Sequence, residues 1–279
     1  MSQNNSNSKA EVLTKLPDLQ IDGEDWKKNK VIKHTKSGRI DQIIDPLTII
    51  LKDKTVIRLA SLDIPKANKG KNFELKALEY LKTLLPETSE VMLYQTRNAK
   101  SGRVNRMNHD LAHIVTKGNN VWVQGSMLQN GLARIYTAAK NAELLNEMQT
   151  AENIAIKEGL GIWTTSSPHK IISPDQTPDA LGDFAVIEGT IQKVASIRNN
   201  IYLNFGANWK TDFTIMITPQ LRKKFARDGI DLMSLANEPV RVRGWLREYN
   251  GPFIELEATS HLQILGNPSN LPITTEDTE

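Results

Sequence analysis

The 279-residue sequence contains no cysteine. Disulfide bonds, thiolate metal sites and thiol nucleophiles are therefore excluded, and packing alone must stabilise the fold. The sequence also lacks an apolar run of the ~18 residues that a membrane-spanning helix needs. The stretch from Met1 to Ala10 is rich in Ser, Asn and Gln and has no apolar centre of a signal peptide. We expect a soluble, cytoplasmic protein without a membrane partner.

An excess of charge of one sign is also missing. The sequence has 35 Lys and Arg against 32 Asp and Glu, a net charge of +3. This excess is too small to identify a nucleic-acid-binding protein, so local clusters must be considered instead. Gly-rich phosphate loops, dinucleotide fingerprints and a Ser-His-Asp order are absent as well.

The pattern along residues 1–165 predicts a polar tail followed by a domain of strands and helices. Residues 1–36 are polar and lysine-rich, which predicts a flexible tail. From Ser37, short β-branched runs separated by turn residues predict strands, and apolar residues at helical spacing predict helices. The predicted strands are 39–44, 47–52, 55–62, 91–96 and 111–116, and the predicted helices are 72–85, 122–132 and 141–158.

The remaining sequence predicts a linker and a second small domain. Residues 166–182 contain three prolines among Ser, Thr and Asp, which is typical of a linker. Residues 183–266 predict three strands, a helix beginning at Pro219 and a hairpin closed by Tyr249–Pro252. This connectivity is that of a five-stranded Greek-key barrel of the OB type. Residues 267–279 form a second polar tail.

Five short motifs, in order, resemble the staphylococcal-nuclease-like (thermonuclease) domain. They read IDPLT (44–48), RLASLDIP (58–65), NRMNHDLAHI (105–114), GLARIY (131–136) and EGLGIW (158–163). The resemblance implies that residues 37–165 form an OB-type barrel with appended helices. Residues 183–266 are similar, through YLNFG (202–206) and VRVRGW (240–245), to the small barrel that follows the nuclease domain in some bacterial family members. The expected fold class is mainly β (α+β), with tandem OB-type barrels.

The resemblance also assigns catalytic positions, and three of them are changed. Active members bind one calcium ion through two Asp residues, use a Glu as general base and stabilise the transition state with two arginines. Arg58 and Asp63 match one arginine and one metal-binding carboxylate. The other metal-binding carboxylate, the general base and the second arginine are replaced, in that order, by Leu47, Lys66 and His109.

These replacements predict a degraded active site. Calcium takes about six to eight oxygen ligands, carboxylates among them, and a protonated lysine cannot accept a proton from water. We therefore expect no metal or other cofactor and no nuclease activity, with Arg58 and Asp63 as remnants or as a structural pair. The alternative is a calcium-dependent endonuclease that cleaves DNA or RNA, in which Asp45 or another nearby carboxylate serves as a substitute ligand.

Two basic loops predict contact with phosphates. Residues 66–71 and 97–106 hold seven Lys or Arg and no acid, and by resemblance both border the substrate cleft. Such cations displace counterions from a nucleic-acid backbone. The plainer interpretation is two solvated surface loops. The predicted nucleic-acid-binding residues here are Lys66, Lys69, Lys71, Arg97, Lys100, Arg103 and Arg106.

Aromatic residues of the second domain indicate either base stacking or a packed core. The set is Tyr202, Phe205, Trp209, Phe213 and Trp245, with Arg241, Arg243 and Arg247 alongside. Arg241 and Arg243 join the predicted nucleic-acid-binding residues. The expected partner is single-stranded or structured nucleic acid, or a protein assembly in which the chain acts as a structural subunit.

The five histidines do not predict a metal site. His109 and His113 have the spacing of a metal-binding pair on a helix, but the pattern around them predicts a strand. His34, His169 and His261 are isolated in the sequence and are expected at the surface.

Overall fold

The computed structural model describes residues 17–66, 72–137, 142–208 and 210–266. The elements of the first unit are α1 (Gly23–Lys28), β1 (Ile32–Asp45), β2 (Thr48–Leu51), β3 (Val56–Leu59), β4 (Leu62–Asp63), α2 (Phe73–Leu84), β5 (Glu90–Thr96), β6 (Asp110–Thr116), α3 (Val123–Gln129), β7 (Arg134–Ile135) and α4 (Leu145–Lys157). Those of the second are β8 (Phe184–Thr190), β9 (Lys193–Ile197), β10 (Asn200–Asn204), β11 (Thr214–Ile217), α5 (Pro219–Arg227), β12 (Pro239–Trp245), β13 (Arg247–Glu248), β14 (Pro252–Glu255) and β15 (Leu262–Ile264). Short 3₁₀ helices lie at Gly161–Trp163, Pro174–Ala180, Leu232–Leu235 and Thr259–His261.

The first unit is a closed five-stranded barrel in the order β1-β2-β3-β6-β5. β3 and β6 are parallel, while the other neighbours are antiparallel. The long strand β1 closes the barrel because its first half pairs with β5 and its second half with β2. The predicted barrel with appended helices is confirmed, and the fold is mainly β.

The helices of the first unit cover the barrel with one apolar face each. α2 begins after Asn72, whose side-chain oxygen accepts a hydrogen bond from the Leu75 amide at 2.9 Å. Its buried face includes Ala77 and Leu81, which pack into the barrel core. Among the described residues, no helix is long and apolar enough to cross a membrane.

The prediction of a flexible tail up to residue 36 is wrong for residues 17–36. Trp26 of α1 is buried and packs edge-on against Tyr94 and Trp122, with ring centroids 5.0 and 5.4 Å apart. β1 begins at Ile32, which is fully buried. Two large apolar side chains therefore anchor a segment whose remaining composition is polar. The rest of the predicted tail, residues 1–16, lies outside the described residues, as do residues 267–279.

The strands of the second unit form two sheets, and the OB-type barrel expected there stays a prediction. One sheet has the order β13-β14-β11-β10-β9 and the other β15-β12-β8. β8 and β9 together form the first strand of the predicted barrel, while β12 and β13 form the fourth. β11 and β14 pair in parallel, as the third and fifth strands of that connectivity must. Phe213 and Phe225 fill the core.

Residues 166–182 do not form the free linker that their prolines predict. Ser167 and Thr177 are buried, and Ile172 exchanges backbone hydrogen bonds with strand β8. A capping box between Ser173 and Gln176 begins the 3₁₀ helix at Pro174–Ala180. The proline-rich composition here reflects this short packed helix.

A buried seam joins the two units. Arg243 of β12 pairs with Glu152 of α4 at 2.8 Å, with side chains only 2% and 0% exposed. The Arg243 guanidinium also donates to the Ile135 carbonyl at 3.1 Å. An apolar cluster across the same boundary combines Trp163 of the first unit with Val186 of the second. The seam fixes the second unit beside the first and creates a cleft between them.

Candidate functional site

A cleft of about 710 Å³ lies between the two units. The first unit contributes the β1–β2 turn and the strands β3, β4 and β7. The segment 166–182 contributes His169, and the second unit contributes Asp183 and the aromatic pair Phe184 and Trp245. From the sequence-predicted site, the residues that line it are Leu47, Arg58, Asp63 and Lys66.

Arg58 is held by the β1–β2 turn. Its Nη1 donates to Thr48 Oγ1 at 2.8 Å and lies 3.2 Å from Asp45 Oδ1. The same Asp45 oxygen accepts a hydrogen bond from the Leu47 amide at 2.7 Å, which closes the turn. Arg58 therefore pairs with Asp45, and the predicted structural pair of Arg58 with Asp63 is wrong.

Asp63 is instead bound by Arg134. The Nε and Nη2 atoms of Arg134 both lie 2.7 Å from Asp63 Oδ2. The Arg134 guanidinium lies 4.4 Å from the centre of the Phe184 ring, and its Nη1 donates to the Phe184 carbonyl at 3.1 Å. Burial lowers the pKa of Arg134, and the Asp63 carboxylate opposes that shift. Arg134 thus places a charge-balancing cation on the retained carboxylate.

The carboxylates Asp45 and Asp63, which the sequence comparison offers as calcium ligands, are a poor fit for that ion. Asp63 and Asp45 each accept hydrogen bonds from an arginine, and Leu47 offers an isobutyl group where the resemblance calls for a carboxylate. Within the described ranges there is no group of three or more His, Asp or Glu that could hold a metal ion. Calcium requires several oxygen ligands with carboxylates among them, and an arginine already occupying the carboxylate opposes binding.

Lys66 and His169 lie at the cleft in contrasting environments. Lys66 is exposed, whereas Lys69 and Lys71 lie outside the described residues. His169 is half-buried and contacts Phe73 edge-on at 5.6 Å. Burial and the nearby Arg134 charge lower the pKa of His169, which keeps its ring neutral at pH 7. The expectation that His169 is an ordinary surface residue is therefore wrong.

His261 is also not at the surface. It is buried, and its Nε2 donates to the Thr137 carbonyl at 2.9 Å across the boundary between the units. Burial lowers its pKa to about 4. His113 is buried in strand β6, so it and His109 do not share a helix face.

The loop of residues 97–109, which we call the basic loop, does not line this cleft. The expectation that it borders the cleft together with Lys66 is wrong. Arg97 donates to the Asn29 carbonyl at 3.0 and 2.7 Å, and Arg103 donates to the Thr96 carbonyl at 2.9 Å. Lys100 and Arg106 are exposed, and His109 ends the loop just before β6. The cations of the basic loop therefore lie outside the cleft that Lys66 lines.

Arg241 and Arg243 must be removed from the predicted nucleic-acid-binding surface. Both are buried: Arg241 binds Glu188 and Asn153 at 2.6 Å each, and Arg243 binds Glu152. The prediction was wrong because arginines that alternate with apolar residues in a strand are usually exposed to solvent. Here the first unit covers them. Their guanidinium groups serve the seam between the units.

Sequence reasoning missed Arg134 and Glu152. Arg134 stands inside the GLARIY motif without a feature that sets it apart. Glu152 could have been recognised from the sequence, because it lies on the same apolar face of α4 as Met148 and Ala155. An acid on an apolar helix face indicates a buried cation as partner.

The aromatic set of the second unit is divided between core and surface. Phe205 and Phe213 stack in the core with ring centroids 5.0 Å apart. Trp245 is 47% exposed at the cleft and packs on Phe184 at 5.9 Å. Tyr202 is partly buried, and Trp209 lies outside the described residues.

The first unit matches a known protein family. No curated protein matches the chain. A family model described as staphylococcal nuclease homologue matches residues 56–165. The matched range begins at β3 and ends after the 3₁₀ helix at Gly161–Trp163, so it contains Arg58, Asp63 and Arg134. Over these matched residues, the first barrel of this chain is therefore similar to the staphylococcal nuclease homologue family.

Proposed function

We propose that this protein is a non-catalytic member of a nuclease-like family that binds nucleic acid through the basic loop. The family match supports a nuclease-like, nucleic-acid-binding ancestry for the first barrel. The finer proposal has two parts, the loss of hydrolysis in the cleft and the retention of a phosphate-binding surface outside it.

The Asp63–Arg134 pair carries the proposal. Arg134 places both Nε and Nη2 on one oxygen of the carboxylate that would bind a metal ion. A divalent cation bound to Asp63 would be repelled by the positive charge of a guanidinium that the Phe184 ring and carbonyl hold in place. Lys66 cannot replace a general base while it is protonated, and loss of such a base typically lowers the rate by ~10²–10⁴-fold.

The basic loop supports the binding part. Residues 97–106 contain four Lys or Arg and no acid. Arg97, Lys100 and Arg106 are exposed, and since Arg97 is bonded to the Asn29 carbonyl, Lys100 and Arg106 are the cations best placed to approach a phosphate. Binding by such groups releases counterions and weakens steeply as salt rises.

A nuclease assay tests the loss of hydrolysis. The purified protein is incubated with single-stranded and duplex DNA and with RNA, with calcium and with chelator. We expect no cleavage above background in any condition. Cleavage that both the chelator and Asp63→Ala abolish would establish the alternative, a calcium-dependent endonuclease with substitute ligands.

Fluorescence anisotropy at several salt concentrations tests the binding part. We expect binding of labelled oligonucleotides at low salt, with an affinity that falls linearly on logarithmic axes as salt rises. A protein that binds no oligonucleotide at low salt would contradict the proposal and favour a structural subunit that docks only on protein.

A further inference from the structure

The tip of the basic loop presents an apolar side chain among cations. Met107 is 72% exposed and Val104 is 51% exposed. Met107 directly follows Arg106, and Lys100 lies in the same loop. Most large apolar side chains of the described residues are buried in one of the cores. An exposed methionine next to exposed cations is a feature of surfaces that bind amphipathic ligands.

The loop holds Met107 in a defined position. Asn105 Oδ1 accepts hydrogen bonds from the amides of Met107 and His109 at 2.9 and 3.0 Å. The Asn105 amide donates to the His109 carbonyl at 3.0 Å, so residues 105–109 form a closed turn. Asn108 has a φ of 60°, a left-handed conformation that asparagine tolerates. The side chain of Met107 thus projects from an ordered turn.

The base of the loop is anchored to the barrel. Gln95 Nε2 donates to the Arg103 carbonyl at 2.9 Å, and Arg103 Nε donates to the Thr96 carbonyl at 2.9 Å. Arg97 binds the Asn29 carbonyl between α1 and β1. Two of the four cations therefore position the loop, which leaves Lys100 and Arg106 for a ligand. Such an arrangement reduces the ordering cost of binding.

We infer that Met107 is a wedge that packs against an unstacked base of single-stranded nucleic acid, while Lys100 and Arg106 contact the flanking phosphates. This inference rests on the proposed function and identifies its ligand class. Methionine is among the side chains that nucleic-acid-binding proteins insert between bases. Unpaired bases offer an apolar face without the cost of opening a duplex, and the cations match the charge of the backbone.

The wedge makes a prediction that separates apolar from electrostatic binding. Met107 carries no charge, so Met107→Ala should lower affinity without changing the salt dependence. The affinity for an oligomer that has the phosphates but lacks the bases should be the same for Met107→Ala and the wild type. These two signatures distinguish base contact from phosphate contact at the same loop.

The experiment compares the full chain with Met107→Ala and with Met233→Ala, a control that truncates a 45% exposed methionine of the second unit. The probes are labelled oligothymidylate and oligouridylate of about twelve nucleotides, an abasic oligomer of equal length, and a duplex. We expect Met107→Ala to weaken binding to both single strands about tenfold, or about 1.4 kcal/mol. Binding of the abasic oligomer should be unchanged, and Met233→Ala should behave like the wild type. The two single-stranded arms show whether DNA or RNA is preferred.

Three results would overturn the wedge while leaving the proposed function intact. These are equal affinity of the wild type and Met107→Ala for the single strands, an equal loss on the abasic oligomer, and tighter binding of the duplex than of the single strands. Binding of no oligonucleotide by the wild type would overturn both proposals. The last experiment is sedimentation with phosphatidylserine vesicles. If the protein binds vesicles through Met107 but binds no oligonucleotide, the loop contacts lipid and the inference is wrong.

Discussion

Arg134 binds Asp63 through two nitrogens that both lie 2.7 Å from one carboxylate oxygen, and the Phe184 carbonyl of the second unit accepts a hydrogen bond from the same guanidinium. The cleft carboxylate is thus linked to the docking of the second unit. The second unit thus contacts the guanidinium that neutralises Asp63 of the first.

Replacing Arg134 should destabilise the protein. Arg134→Met removes the partner of a carboxylate that is 36% exposed, so the cost is smaller than for a fully buried pair, and we expect about 2 kcal/mol. Urea unfolding measures the change. Arg58→Met is the matched control, because its pair with Asp45 is exposed on both sides and should contribute only about 0–1 kcal/mol. Equal losses for the two variants would contradict the role assigned to Arg134.

Removing Arg243 should cost more, because it leaves Glu152 unpaired in a fully buried position. We expect Arg243→Met to lower the free energy of unfolding by about 3–5 kcal/mol. The double variant Arg243→Met/Glu152→Leu should recover most of that loss, since it removes both charges. A double variant as unstable as Arg243→Met alone would show that the side-chain shape, rather than the buried charge, determines stability at the seam.

The pH dependence of stability should carry a contribution from His261. Its folded pKa, about 4, lies below its ordinary value of 6.5. The unfolded chain therefore takes up a proton first as the pH falls, so the contribution is complete above pH 6.5 and is lost between pH 6.5 and about 4. At pH 5 the loss should be about 2 kcal/mol.

Unfolding of His261→Gln in urea at pH 7.5 and pH 5 checks this contribution. The variant should show a smaller difference between the two pH values than the wild type does. His34→Gln replaces an exposed histidine and should leave the difference unchanged. If His261→Gln shows the same change in unfolding free energy between the two pH values as the wild type, other groups, such as the buried His113, cause the effect.

Charge removal in the basic loop should reduce the salt dependence of nucleic-acid binding. Lys100→Ala/Arg106→Ala removes two exposed cations, and each phosphate contact contributes about 0.7–0.9 to the logarithmic salt slope. We expect the slope to fall by about 1.4–1.8. Lys223→Ala/Arg227→Ala removes the same charge from the exposed face of α5 and should leave the slope unchanged. Equal effects of the two double variants would indicate a general charge effect.

Local patterns predicted most of the fold because strands and helices of this chain follow their own periodicity. The helical spacing of Phe73, Ala77 and Leu81 and the β-branched strands gave elements close to those observed. The beginning of β1 was missed because its outward positions, such as Lys33 and His34, give the segment the composition of a tail. Only the contacts of Ile32 and Trp26 with the barrel reveal it as structure.

The candidate site was harder to predict because its contacts join distant parts of the chain. The replacements at Leu47 and Lys66 could be found by motif comparison alone. The pairing of Asp63 with Arg134 required the β4–β7 pairing, and the burial of Arg243 required the second unit. Nothing in a single sequence specifies such long-range partners for a charged side chain.

The buried Glu152 limits how this chain can be rearranged. A nuclease-like barrel cut out by itself would expose the apolar face around Trp163 and leave an acid on the helix without its cation. The first barrel is thus expected to be unstable when it is separated from the second unit. The residue that creates this dependence, Glu152, lies on α4 of the first unit, and its cation comes from the second unit.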